Sequence, residues 1–256
     1  MTTHRILILG GTTEARLLAE RLAARPDLDT ILSLAGRTRD PVSQPVPVRV
    51  GGFGGAEGLA HYLTENGVGI LIDATHPFAT RISANAAIAA RQAGVPAIAL
   101  RRPEWRSVQG DRWTIVKSVE EGVAALGEQP RRVFVTLGRQ ELAPLANAPQ
   151  HVYLIRSVDP VEPPPDLPHA GYLLARGPFS EAAEHDLLRA QRIDAILAKN
   201  SGGDATYGKI AAARSLGIGI VMIRRPTAPD MPTATTVEEA LLLLDHRLAS
   251  PAKRGV

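Results

Sequence analysis

The stretch "GILIDATHPFATRISANAAIAARQAGVPAIALRRP", Gly69–Pro103, decides how the chain folds. It opens as an unbroken apolar run, turns polar at Asp73, Thr75 and His76, and meets Pro77 at once. An Ala-rich segment of helical period follows, then a second apolar run ending in Arg-Arg-Pro. Continuous apolar strands separated by helices are the signature of a parallel sheet covered on both faces. Polar residues at the carboxyl end of such a strand stand where open α/β sheets hold their ligands. Pro77 is expected to start the following helix, where its missing N–H costs nothing.

The same pattern runs outward in both directions. "RILILGG" (Arg5–Gly11), "TILSLAG" (Thr30–Gly36) and "VPVRVGG" (Val46–Gly52) precede it as strands, with a helix near Ala56–Glu65. The second half continues with "RRVFVTLG", "HVYLIRSV", "GYLLARG", "DAILAKNSGG" and "IGIVMIRRP". "DAILAKNSGGDATYGKIAAARSLGIGIVMIRRP" (Asp194–Pro226) echoes the opening stretch unit for unit, down to the Arg-Arg-Pro. Each half then closes on a capping-box helix, "SVEEGVAAL" from Ser118 and "TVEEALLLL" from Thr236. The reading is α/β: two similar Rossmann-like or flavodoxin-like domains with parallel sheets and an interdomain cleft, residues 1–127 and 128–256.

Composition narrows the classes. The chain has 256 residues, no cysteine and a net charge of +3. Disulfides, thiol catalysis and cysteine-ligated metals are thereby excluded. No run reaches membrane-span length, and the N-terminus lacks signal-peptide anatomy, so a cytoplasmic protein without a membrane partner is expected. Aromatic residues are sparse, which argues against a stacking platform for nucleic acid. A monomer or small homo-oligomer is expected.

Candidate binding residues cluster at strand ends. Gly10 and Gly11 allow close backbone approach, and Thr12 and Thr13 place hydroxyls at a helix N-terminus that favours phosphate. The alternative is a plain tight turn, since the G-x-G-x-x-G fingerprint is absent. One strand later, where an NAD-type fold places an acid for the ribose diol, the chain has Gly36, Arg37 and Thr38. That is chemistry for a 2′-phosphate and hence NADPH, or else an exposed basic loop. Gly52 lies in "VGGFGG", a close-approach segment or a flexible turn. His76 is a general acid, a hydrogen-bond donor to the cofactor together with Thr75, or a helix-capping histidine. No second histidine lies at ligand spacing, so no metal site is expected.

In the second half Arg139, Arg156, Arg176 and Lys199 all close strands, with Asn200, Ser201 and Gly202 following the last. Taken singly each Arg reads as a solvated side chain. Together they make a cationic edge suited to a polycarboxylate.

These motifs resemble the precorrin-6A reductase family of cobalamin biosynthesis. The resemblance rests on "ILGGTTEARLLA", "DATHPFA", "LRRPEW", "TLGRQEL", "ARGPF" and "KNSGGDATYGKIAAARSLGIGIVMIRRP", in order over nearly the whole chain. It implies NAD(P)H-dependent reduction of a macrocycle double bond, precorrin-6A to precorrin-6B, without a flavin. The cobalt-containing analogue is the alternative substrate. From their place at strand ends, His76, Lys199 and Ser201 are the candidate catalytic residues. Two rival classes are a phosphate-transfer or nucleotide-sugar enzyme and a non-catalytic NADPH sensor.

Overall fold

The structure, a computed structural model, describes residues 3–36 and 43–249. It divides into two compact units, and the division differs from the expected one. The first unit comprises the chain up to Pro103 together with everything from Thr227; the second is Glu104–Pro226.

In the first unit the elements are β1 (His4–Leu9), α1 (Thr13–Ala23), β2 (Leu28–Leu34), β3 (Val48–Val50), α2 (Ala56–Glu65), β4 (Val68–Asp73), α3 (Thr80–Ala93) and β5 (Ala97–Leu100). The second unit contains β6 (Trp113–Val116), α4 (Val119–Ala125), β7 (Arg132–Thr136), β8 (Val152–Ser157), β9 (Ala170–Leu174), α5 (Glu181–Ala190), β10 (Ala195–Lys199), α6 (Gly208–Leu216) and β11 (Gly219–Ile223). The first unit is then completed by β12 (Thr233–Ala234) and α7 (Val237–Ala249).

Each unit has one six-stranded sheet, ordered β12-β5-β4-β1-β2-β3 and β6-β11-β10-β7-β8-β9. All the strand pairs are parallel. The two orders are equivalent position by position, and they reverse direction beside β1 and beside β7, the switch points where doubly wound sheets bind ligands. The echo in the sequence is therefore an echo in three dimensions. The expected boundary near residue 127 fails because each Arg-Arg-Pro carries the chain from one unit to the other. β6 adds to β11 with Ile220 opposite Trp113, and β12 adds to β5 with Thr233 opposite Ala99. Each closing strand thus joins the sheet of the unit into which the Arg-Arg-Pro leads.

Two-sided burial explains the unbroken apolar runs. In β1 and β4, Ile6, Ile8, Ile70 and Ile72 pack with Leu18 and Leu22 of α1 and Leu244 of α7. Leu7, Leu9 and Leu71 face the other way, onto Leu59 and Leu63 of α2 and Ala86, Ala89 and Ala90 of α3. Each such Leu or Ile contributes about 1.5–3 kcal/mol on full burial. The two closing helices are capped as the sequence indicated: Ser118 Oγ accepts from Glu121 N at 3.2 Å, and Thr236 Oγ1 from Glu239 N at 3.1 Å. No helix among the described residues is long and apolar enough to cross a membrane.

Candidate functional site

In the first unit the switch point lies between the ends of β1 and β4. Gly10 is a glycine for packing, because a Cβ there would sit 2.6 Å from Leu32 Cδ1. Gly11 has φ +111° and open space beside it, the kind of backbone a ligand can approach. Thr12 is the N-cap of α1: its Oγ1 accepts from Ala15 N at 3.1 Å and donates to the Ala74 carbonyl at 2.8 Å. That second bond ties the loop after β1 to the loop after β4. Thr13 begins the helix.

The opening acid turns inward. Asp73 is fully buried; its Oδ1 accepts from the Thr75 backbone N–H at 3.1 Å and from Thr75 Oγ1 at 2.6 Å. Its Oδ2 accepts from Arg101 Nη2 at 2.8 Å. Thr75 Oγ1 also lies 3.3 Å from Ser83 Oγ. So Asp73 and Thr75 are the brace of the loop, and half-buried His76 is what the loop presents. The Phe78 N–H donates to His76 Nδ1 at 3.3 Å, which leaves the neutral ring's proton on Nε2. Pro77 does not start α3. It sits inside a turn closed by Ala79 N–H to His76 O at 2.7 Å, where its fixed φ suits the second position.

Three charged residues beside this loop went unread in the sequence. Arg102 Nη1 donates to Glu14 Oε2 at 2.7 Å, setting a cation against the acid in the first turn of α1. With Thr12, Thr75 and Arg101 they line a narrow crevice with no room for a water molecule. Arg101 Nε is buried there without a hydrogen-bond partner. The available signal was the repeated Arg-Arg-Pro. Farther along the edge Arg49 lies 3.8 Å above the Phe53 ring and donates to the carbonyls of Gly51 and Gly52 at 2.7 and 2.8 Å. "VGGFGG" is therefore a braced loop. Gly36 has φ +70° after β2. Arg37 and Thr38 lie outside the described residues.

In the second unit the equivalent switch point lies between β7 and β10. No α-helix follows β7; the chain makes a short 3-10 turn over Arg139–Glu141 instead. Lys199 ends β10, and its ammonium pairs with both carboxylate oxygens of Glu141. Asn200 is buried and closes a two-way bond with the Trp105 backbone, 2.9 Å in each direction. Its side chain therefore anchors the entering segment and is withdrawn from the substrate set. Arg225, from the second Arg-Arg-Pro, donates to the carbonyls of Asn200 and Ser201 at 2.9 and 2.8 Å. Gly202 follows with φ +67°.

The four expected cations separate. Arg176 is exposed. Arg139 donates to the Pro160 carbonyl at 3.1 Å and lies 3.7 Å from Asp159. Arg156 is a correction: it is 7% exposed, bonded to both Glu184 oxygens at 2.5 and 2.9 Å, and stacked 3.7 Å over Phe179. A guanidinium sealed by a carboxylate and a ring belongs to the core of the unit, not to a ligand edge. His151 is buried at the opposite end of the sheet, where burial pushes its ionisation down, and it is structural.

Residues 5–245 match the family model described as Precorrin-6x reductase CbiJ/CobK. The chain belongs to that family. A precorrin-6A reductase of a Sinorhizobium species is 60% identical over 249 residues, covering 97% of this chain and 95% of that protein. One from Rhodobacter capsulatus is 48% identical, covering 98% and 99%. A solved CobK precorrin-6A reductase superposes with a TM-score of 0.93 at 47% identity, covering 99% and 100%. Membership of the CbiJ/CobK family makes the chain a reductase and sets aside the phosphate-transfer and sensor readings. A reductase of this family on a Rossmann-like frame points to a nicotinamide cofactor.

Proposed function

We infer that the chain is a precorrin-6A reductase of cobalamin biosynthesis, with NADPH on the first unit's carboxyl edge and the tetrapyrrole on the second's. The cobalt-free substrate is favoured because both relatives named above carry its name. One observation carries the assignment of cofactor to the first unit. At equivalent switch points, the first unit offers a helix N-terminus with open space at Gly11, whereas the second places the Glu141 carboxylate. A helix N-terminus accepts a pyrophosphate, and no α-helix follows β7 to offer one in the second unit. The orphaned Arg101 Nε fits the same group, while Thr12 spends its hydroxyl proton on the Ala74 carbonyl and holds the loop in place.

The residues then divide by task. Thr12, Thr13 and the first turn of α1 hold phosphate, while Arg102 offsets the charge of Glu14 beside them. Gly52 lets the adenine end approach, and Gly36, Arg37 and Thr38 receive the 2′-phosphate. A bound nicotinamide supplies hydride to one carbon of the macrocycle, whose neighbour takes a proton. Thr75 and Asp73 fix the loop from which His76 orients the reacting end, with Nε2–H as the donor. Arg139, Arg176, Lys199, Ser201 and Gly202 receive the acidic rim of the substrate.

Arg37→Ala should raise KM for NADPH about tenfold to a hundredfold and leave NADH nearly unchanged, the loss of a charge-assisted bond of about 1.5–3 kcal/mol. Steady-state rates with both cofactors check this, and equal changes for the two would remove Arg37 from the phosphate site. His76→Asn should slow single-turnover reduction by less than about a hundredfold, as expected for a positioning donor rather than a general acid. A larger drop with both ligands still bound would make His76 the proton donor.

A further inference from the structure

The second unit poses a problem of sign. At the end of β10, where a cation should meet a substrate carboxylate, Lys199 already holds Glu141. Glu141 also accepts the Gly138 N–H through Oε2 at 3.1 Å. Two donors from the ends of neighbouring strands, β7 and β10, thus converge on one carboxylate at the switch point. Gly138 makes the room: a Cβ there would lie 2.8 Å from Glu141 Oε2. The burial is unequal, with the Lys199 side chain 11% exposed and that of Glu141 35%. The donors are fixed in the frame and the acid sits on the solvent side.

We propose that the Gly138 amide and the Lys199 ammonium form a carboxylate subsite for the substrate, and that Glu141 is its resident occupant. The proposal rests on the reading that this edge receives the tetrapyrrole. A rim carboxylate replaces Glu141 on the same two donors, and Glu141 turns to water. The exchange trades one charge-assisted set of bonds for an equal one, and an ion pair with a partly exposed acid is weakly held. A neutral rim group, such as an amide, offers Lys199 no charge to match the one it gives up. Glu141 therefore selects ionised acids over their amides at this position.

The test is an anaerobic titration of the full-length protein with precorrin-6A, without NADPH, followed by quenching of tryptophan emission. Both tryptophans, Trp105 and Trp113, lie in the second unit. Glu141→Ala should tighten binding about threefold to tenfold at low salt, because it removes the competitor. Glu141→Gln, which keeps the bond to Gly138, should tighten it less. Lys199→Met should weaken binding at least about tenfold, and the Lys199→Met, Glu141→Ala double variant should bind more weakly than Glu141→Ala alone, because only the Gly138 amide is left to hold the rim carboxylate. NADP⁺ affinity should be the same in all four variants. Weaker or equal binding by Glu141→Ala, or a double variant that binds as tightly as Glu141→Ala alone, overturns the proposal. Failure of the wild-type protein to bind precorrin-6A would instead count against the substrate assignment.

Discussion

Glu184→Ala is expected to destabilise the second unit by about 3–5 kcal/mol, the cost of stranding a buried charge. Arg156 cannot escape by losing its proton, because a guanidinium stays ionised in proteins. It would remain 7% exposed beneath Phe179 with both of its carboxylate bonds gone. Urea unfolding followed by tryptophan emission reads this unit alone, since both tryptophans belong to it. The midpoint should fall sharply while the slope stays near that of the wild type. Arg156→Met combined with Glu184→Leu should cost far less than the single change, because no charge is left behind. An unchanged midpoint in Glu184→Ala, together with weaker precorrin-6A binding, would return Arg156 to the substrate edge.

Asp73→Ala should be the most damaging change near the cofactor. It removes the acceptor for three hydrogen bonds at a fully buried position. Arg101 would then be left with no acceptor at Nη2 as well as none at Nε. A loss of about 3–5 kcal/mol in stability follows from the stranded cation. The Thr75–His76 loop loses its brace at the same time, so NADP⁺ affinity should fall at least about tenfold, a change of about 1.4 kcal/mol. Asp73→Asn should lie between, since its amide can accept from Thr75 but turns a donor toward Arg101. Thermal unfolding and calorimetric titration with NADP⁺ separate the two effects. Wild-type melting and affinity in Asp73→Ala would mean that the loop is held by something else.

The sheet cores were legible because two-sided burial writes itself as an unbroken apolar run. Ile6 to Leu9 and Ile70 to Ile72 leave no polar face, so strand and layer could be read together. The exchange of closing strands was not legible. β6 is four residues long with Thr114 and Ile115 exposed, and nothing local to it says which sheet edge it joins. Its helix and α7 carry the same capping pattern in different units. The site divided along the same line. Thr12, Thr75 and His76 follow their strands directly, so their place was fixed by local pattern. Arg156 and Arg176 both end strand-like runs, yet only the packing of α5 brings Glu184 onto one of them. The role of Glu141 likewise depends on β10 lying beside β7.

The most direct measurement combines the purified protein, precorrin-6A and NADPH deuterated at the transferable C4 position, without oxygen or flavin. Absorbance at the nicotinamide band and mass spectrometry of the macrocycle are followed together. The expected result is oxidation only when both ligands are present, one NADPH consumed per macrocycle, and one deuterium carried into the product. Oxidation of NADPH without the macrocycle, or deuterium appearing in solvent rather than in the product, would contradict direct hydride transfer between ligands held by the two units.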